Sequence, residues 1–233
     1  PELYKNSQIN LEAFYSSYLR TYIERDVRKI INIQDEPKFL KFISSLAART
    51  GQEFNASDIA KDVGCDQETI KKWTGVLSNT YIIFLLQPHM NNNVSRIVKR
   101  PKIYFMDTGL ACYLTGYLNS ETLEKSAYNG AIFETYIVSE IIKSYTNNGK
   151  DPRTRLYYYR DKNQKEIDLL IFYDNTVYPI EIKKSANPGN TAIKNFDAIK
   201  NIEAKAGNGI VLCMMENIIA IDENNYYVPI EYV

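Results

Sequence analysis

Two short stretches constrain the fold of this chain most. Glu166-Ile167-Asp168-Leu169-Leu170-Ile171 is followed, a few residues on, by Tyr178-Pro179-Ile180-Glu181-Ile182-Lys183-Lys184. The second alternates apolar and charged residues, the pattern of a half-buried strand. Asp174-Asn175-Thr176 between them suits a short hairpin loop, which would lay the two strands side by side. Glu181 and Lys183 are two apart and leave the same face of a strand, while Ile180 and Ile182 leave the other and can enter a core. Asp168 lies on the neighbouring strand. Two carboxylates and one ammonium on one patch of sheet suit a divalent metal and a negatively charged substrate.

The rest of the C-terminal half is organised around this pair. A long helix is expected from about Thr122 to Tyr145. One stripe on it runs Ala127, Ala131, Glu134, Val138, Ile141 and Tyr145. Glu134 interrupts an otherwise small or apolar face, and a core-facing carboxylate is costly without a partner. That partner would be a metal or Lys183; the other reading is a Glu at the edge of the stripe that reaches water. Leu156–Tyr159 reads as a strand, and Asn190 to about Lys205 as a helix with Ala192, Phe196 and Ile199 inward. Gly209–Met215 reads as a further strand, pairing parallel through the crossover. Two short strands follow around Asn224-Asn225. Glu166 leaves the sheet on the side of Asp168, as an accessory ligand or a solvated strand residue.

The N-terminal half is helical. Leu11, Phe14, Tyr15, Tyr18, Leu19, Tyr22, Ile23, Val27 and Ile30 recur at helical spacing. Phe39, Phe42, Ile43 and Leu46 mark a second helix closed by Gly51. Asn55 is a candidate cap for a short helix carrying Ile59, Ala60 and Val63, which Gly64 ends. Cys65-Asp66 then turns into a helix with Ile70, Trp73 and Leu77 inward. This is helix-turn-helix spacing. Ile82–Leu86 and Lys102–Met106 read as a hairpin with Asn91-Asn92-Asn93 in its loop, and Asp107 caps a helix through Leu114. Helices followed by a two-stranded hairpin make a winged helix. Trp73 is read as core, and His89 as a loop residue without chemistry.

Charge supports a nucleic-acid reading only locally. The chain has 28 Lys+Arg and 28 Asp+Glu, so the net balance selects no partner. From Thr69 to Met106, however, there is no Asp or Glu, while Lys71, Lys72, Arg96, Lys99, Arg100 and Lys102 all fall there. Lys71 and Lys72 would face a groove, with Arg96, Lys99 and Arg100 on a wing over phosphates. The competing reading, that the winged helix docks a protein, stands level with DNA binding. Cys65, Cys112 and Cys213 are far apart and odd in number, giving neither a disulfide framework nor metal-ligand spacing, and a reducing cytoplasm is the expected location. One histidine, His89, argues against zinc hydrolases and Ser-His-Asp catalysis. No run is long and apolar enough for a membrane span, and no signal peptide is visible. The chain begins at Pro1, as a piece of a longer protein would.

The element order and acids resemble the PD-(D/E)xK nuclease fold, with a helix acid, an Asp on one strand and Glu-x-Lys on the next: here Glu134, Asp168, Glu181 and Lys183. Nearly the whole chain is also similar to a family of prokaryotic AAA+-type ATPases whose C-terminal half is a domain of unknown function. That likeness lies in Tyr18–Val27 (YLRTYIERDV), Tyr104–Leu110 (YFMDTGL), Gly130–Glu134 (GAIFE), Glu166-Ile167-Asp168 and Glu181–Lys184. It implies a nucleotide-binding domain first, then a winged helix, then a nuclease-like domain. A phosphate-binding loop needs a glycine-rich turn ending in Gly-Lys-Ser/Thr. The only Gly-Lys here, Gly149-Lys150, is followed by Asp151, so ATP binding is expected in an upstream domain outside this chain.

The resulting expectation is an α+β or α/β chain in three parts. A junction helix occupies 1–34, a winged helix 35–119, and a restriction-endonuclease-like mixed sheet flanked by helices 120–233. The resemblance implies Mg²⁺-dependent (or Mn²⁺-dependent) DNA cleavage. Asp168, Glu181 and Glu134 would be the metal ligands, with the Ile182 carbonyl as a further candidate. Lys183 would orient water or stabilise charge. The alternative is a binding or regulatory module for the upstream ATPase domain, with the same residues as an ion-pair network.

Overall fold

The computed structural model describes residues 9–27, 35–89 and 100–233. The chain is mixed α and β and separates into two compact units. One comprises residues 1–84 and 105–132, the other residues 85–104 and 133–233.

The first unit is helical. Helix α1 (Leu11–Tyr22) starts where Asn10 accepts the Ala13 N–H at 2.9 Å and runs on into a π-helical turn, Ile23–Val27. Ile30, expected to continue it, lies outside the described residues. Helix α2 (Glu36–Ala47) is capped by Asp35, α3 (Ala56–Val63) by Asn55 and α4 (Gln67–Asn79) by Asp66. Each cap accepts a backbone N–H that the first helical turn would otherwise leave without a partner. Gly64 ends α3 at φ 79°, a left-handed conformation that glycine adopts without a Cβ clash. Phe39, Phe42, Ile43, Leu46, Ile59, Ile70 and Leu77 are fully buried. Trp73 packs edge-on against Phe39, with ring centres 5.2 Å apart, so it is a core residue. Each large side chain so buried contributes about 1.5–3 kcal/mol.

Helix α5 (Thr108–Leu114) is capped by Asp107, whose Oδ1 accepts the Leu110 N–H at 2.9 Å. The same oxygen accepts the Tyr15 hydroxyl at 3.1 Å, fastening α1 to α5. Gly109 makes this approach possible, because a Cβ there would lie 2.1 Å from the Tyr15 hydroxyl. The single helix expected from Thr122 to Tyr145 is instead two, α6 (Ser120–Glu124) and α7 (Asn129–Asn147). Ser126 and Asn129 turn their side chains back onto the Leu123 and Glu124 carbonyls, at 2.7 and 3.0 Å, closing α6 before α7 begins.

Strands β1 (Ile83–Leu86) and β2 (Lys102–Phe105) pair as a two-stranded sheet. The larger sheet has the order β3-β4-β5-β7-β9-β8, with β6 beside β5. Strands β3 (Leu156–Arg160), β4 (Glu166–Tyr173) and β5 (Thr176–Lys183) are antiparallel neighbours. Asp174 and Asn175 form a two-residue turn with φ of 46° and 58°, the left-handed pair that matches strand twist. β5, β7 (Gly209–Cys213) and β9 (Asn225–Pro229) are parallel, and β8 (Ile219–Ala220) returns antiparallel to β9. β6 (Lys205–Ala206) adds a short parallel pairing to β5.

The crossover from β5 to β7 is not the helix expected from Asn190 to Lys205. It consists of two short 3-10 segments, Asn190–Ile193 and Phe196–Asn201. Asn195, between them, donates its side-chain amide to the Glu166 carbonyl at 2.8 Å, tying the crossover to the start of β4. Ala192, Phe196 and Ile199 do point inward, into a core shared with Ile167, Leu170, Val177 and Val211. Among the described residues no helix is long and apolar enough to cross a membrane.

Candidate functional site

The hairpin places the strand acids. The β4–β5 ladder runs as far as Leu169 opposite Ile180. Beyond it, Asp168 accepts the Ile182 N–H on Oδ2 at 2.9 Å, so a side-chain oxygen takes the place of a strand carbonyl. Glu181 and Lys183 share a face, and the Lys183 ammonium donates to Glu181 Oε1 at 2.6 Å. The Glu181 side chain is 11% exposed and that of Lys183 42%, so the pair runs from the interior towards solvent. The other oxygen, Glu181 Oε2, is buried and has no hydrogen-bond partner. A buried carboxylate oxygen left unpaired costs about 1–3 kcal/mol or more.

Helix α7 brings Glu134 to the same cluster. Its charge acts on Asp168, Glu181 and Lys183. Glu134 does not reach water alone at the edge of its stripe. Its Oε1 accepts the Tyr104 hydroxyl at 2.6 Å and the Lys102 ammonium at 3.3 Å. Lys102 also pairs with Glu166 Oε1 at 2.6 Å, and Arg160 lies 3.7 Å from Glu166 Oε2. Glu166 is thus engaged by Lys102 and Arg160 while its side chain remains 31% exposed.

Electrostatics follow from this crowding. Burial disfavours the ionised Asp168 carboxyl, and the negative charges of Glu134 and Glu181 add to it. Its pKa is pushed up to about 8 although Lys102 and Lys183 pull the other way. Glu181 is raised as well, chiefly by burial, against the hydrogen bond and charge of Lys183. For Lys183, burial favours the neutral amine, but Asp168 and Glu181 outweigh it and hold the group cationic. Lys102 is held cationic in the same way, burial being outweighed by Glu134, Asp168 and Glu166. Tyr104 is kept protonated, first by burial and then by Glu134, so it stays a donor.

The residues expected to bind nucleic acid divide differently. Lys71 and Lys72 are exposed on α4, and Arg100 is exposed ahead of β2. Arg96 and Lys99, with the Asn91–Asn93 loop, lie outside the described residues. Lys102 belongs to the same acid-free stretch but is 4% exposed and bound to two carboxylates, so it is not available to phosphates. Lys102 and Tyr104 join the site through Glu134 and Glu166, and no site motif marks them. Their only local trace is a lysine in a strand whose four residues are all buried. His89 lies outside any helix or strand, its ring stacked on Phe172 with ring centres 4.9 Å apart, and its backbone N–H donates to the Tyr158 carbonyl.

Glu134, Asp168 and Glu181 bring hard oxygen donors suited to Mg²⁺ or Mn²⁺. The unpaired Glu181 Oε2 is an atom that such an ion would satisfy. Among the described residues no three His, Cys, Asp or Glu side chains form a group that could hold a metal ion.

The chain belongs to a family described as a domain of unknown function, DUF8612, whose model matches residues 1–121. A second domain of unknown function, DUF4143, matches residues 129–233 and so covers α7 and the whole larger sheet. Among curated proteins the chain is similar to the uncharacterized protein Rv2008c of Mycobacterium tuberculosis, and to the uncharacterized protein Mb2031c of Mycobacterium bovis. Each is 26% identical over 188 residues, a match covering 81% of this chain and 41% of the relative. The chain thus spans less than half the length of the curated relatives it matches.

Proposed function

We propose that this member of the DUF8612 family carries, on β4, β5 and α7, a metal-dependent phosphodiesterase site of the PD-(D/E)xK nuclease kind. The observation that carries the reading is Glu181 Oε2, a buried oxygen without a partner amid Asp168, Glu134 and Lys183. Asp168, Glu181 and Glu134 would hold the ion. When bound, it would lower the pKa of a coordinated water and neutralise the phosphate. The chain's own residues do the rest. Lys183 is cationic and partly exposed, so it stabilises charge developing on the phosphate oxygens rather than accepting a proton. Glu181 anchors the Lys183 ammonium, and the Ile182 N–H fixes the Asp168 carboxylate.

The order α2, α3, α4, β1, β2 fits a winged helix, and the exposed Lys71, Lys72 and Arg100 fit phosphate contacts that would bring DNA. The length of the mycobacterial relatives leaves room for an upstream AAA+-type ATPase domain in the parent protein, which would bind the ATP. A second reading has one observation in its favour. Each site carboxylate already has a protein donor, as a structural ion-pair network would. On that reading the chain is a non-catalytic binding or regulatory module.

A cleavage assay on plasmid and branched DNA with Mg²⁺ or Mn²⁺ separates the two. The nuclease reading predicts cleavage by the wild type, lost in Asp168→Asn together with metal binding, and lost in Lys183→Ala with metal binding retained. Cleavage that survives Asp168→Asn, or a wild type that neither binds metal nor cuts, leaves the regulatory reading.

A further inference from the structure

We infer that β8 is an edge that accepts a strand from a partner protein, an extended segment apolar at its centre and basic at its ends. The larger sheet treats its two edges differently. β3, at one edge, is covered. The Tyr158 N–H donates to the Gln87 carbonyl at 3.0 Å, and the His89 N–H donates to the Tyr158 carbonyl at 2.7 Å. β8, at the other edge, has only β9 beside it among the described residues. The register sets Ile219 opposite Tyr227 and Ala220 opposite Tyr226, and the Ile221 N–H donates to the Asn225 carbonyl at 2.8 Å. Antiparallel bonds alternate along a strand, so Ile219 and Ile221 bond to β9, while the N–H and C=O of Ala220 point away from the sheet. They are a donor and an acceptor for one more strand.

Residues 216–220 are all exposed, including Ile218 at 52% and Ile219 at 45%. Ile219 shares a face with Tyr227, which is buried with Phe196 and Ile199. An added strand would cover Ile219 and carry that core one strand further. Charge selects the occupant. From Ala206 to Val233 there are four acids, Glu216, Asp222, Glu223 and Glu231, and no Lys or Arg. Glu216 precedes β8 and Asp222-Glu223 follow it, so both ends of the strand are negative. A second copy pairing antiparallel would bring Glu216 of each chain towards Asp222-Glu223 of the other, and like charges facing across strands are destabilising. A segment with basic residues at its ends meets opposite charge at both.

The test is an NMR titration of the ¹⁵N-labelled full chain with short blocked peptides. The basic probe has lysine at both ends and alternating valine and threonine between. It should bind, with the largest amide shifts at residues 218–221. An acidic probe, with glutamate replacing lysine, should bind about tenfold or more weakly. A basic probe N-methylated throughout keeps the charge but has no N–H to pair, and should not bind. Ala220→Pro removes the outward N–H and leaves the bonds of Ile219 and Ile221 to β9, a placement that edge strands tolerate. It should weaken the basic probe about tenfold or more. Glu216→Lys/Glu223→Lys touches no backbone bond, so it keeps the test open should Ala220→Pro unfold. It should weaken the basic probe about tenfold and favour the acidic one. The inference is overturned if the wild type binds no probe, if basic and acidic probes bind alike, or if the N-methylated probe or a folded Ala220→Pro variant binds as well. It is also overturned if sedimentation shows a concentration-dependent dimer that Ala220→Pro abolishes, because the occupant is then a second copy.

Discussion

Replacing Asp168 by asparagine is expected to make the metal-free protein more stable. Burial, Glu134 and Glu181 push the Asp168 carboxyl from its ordinary 3.8 up to about 8, whereas the unfolded chain ionises it at the ordinary value. Between those two values the folded state holds the extra proton, so stability falls as pH rises through the window and is greatest below it. At about 1.36 kcal/mol per pH unit, the folded state at neutral pH forgoes at most about 4 kcal/mol. Protein relaxation and an effective dielectric well above that of a dry interior reduce this to roughly 1–3 kcal/mol. Asparagine has no charge to suppress, and its amide oxygen still accepts the Ile182 N–H. Urea denaturation in EDTA should therefore show Asp168→Asn gaining roughly 1–3 kcal/mol at neutral pH and little at about pH 4. Mg²⁺ should reverse the order. An ion bound only by the native state adds about 2.7 kcal/mol at a hundredfold excess over its Kd, and only the wild type should receive it. An Asp168→Asn variant less stable than wild type in EDTA at neutral pH would rule out a suppressed buried charge at Asp168, and one stabilised equally by Mg²⁺ would rule out Asp168 as a ligand.

Other expectations rest on separate contacts. Gly109→Ala drives a Cβ to 2.1 Å from the Tyr15 hydroxyl and should cost about 1–3 kcal/mol in thermal or urea unfolding. Combined with Tyr15→Phe it should cost less than the two changes summed, because they share one clash; strict additivity would contradict the contact. Gly209→Ala would place a Cβ 2.2 Å from Asn225 Oδ1 and 2.4 Å from Phe196, so a similar loss is expected at β7, and a wild-type melting curve would count against that packing. Lys71→Ala/Lys72→Ala should weaken DNA binding across all sequences and flatten its salt dependence by about one to two counterions. If fluorescence anisotropy shows binding unmoved by this pair, the exposed face of α4 serves a protein partner.

What the sequence made legible was local. The β4–β5 hairpin follows from alternation and from Asp174-Asn175, and Asn55, Gly64, Asp66 and Asp107 mark helix ends by chemistry that acts within a few residues. Glu181 beside Lys183 needed only the period of a strand. The misreadings arose where a side chain chose a distant or competing partner. Asn195 spends its amide on the Glu166 carbonyl, and the expected helix becomes two 3-10 turns. Ser126 and Asn129 bond backwards and cut one long helix into two. Lys102 reads as one more base of an acid-free stretch and the first residue of a strand, because Glu134, 32 residues on, and Glu166 leave no mark near it. The half of the site that neutralises charge was invisible for that reason, while the half that would hold the ion could be read from strand and helix periodicity.

The proposed nuclease site requires the oxygens around Glu181 to hold a divalent ion. The most direct measurement is anomalous scattering from crystals grown in MnCl₂. One strong peak is expected within bonding distance of Glu181 Oε2 and an Asp168 oxygen, with Lys102 still paired to Glu166. A cluster without a peak, or with a peak that contacts neither Asp168 nor Glu181, would contradict it.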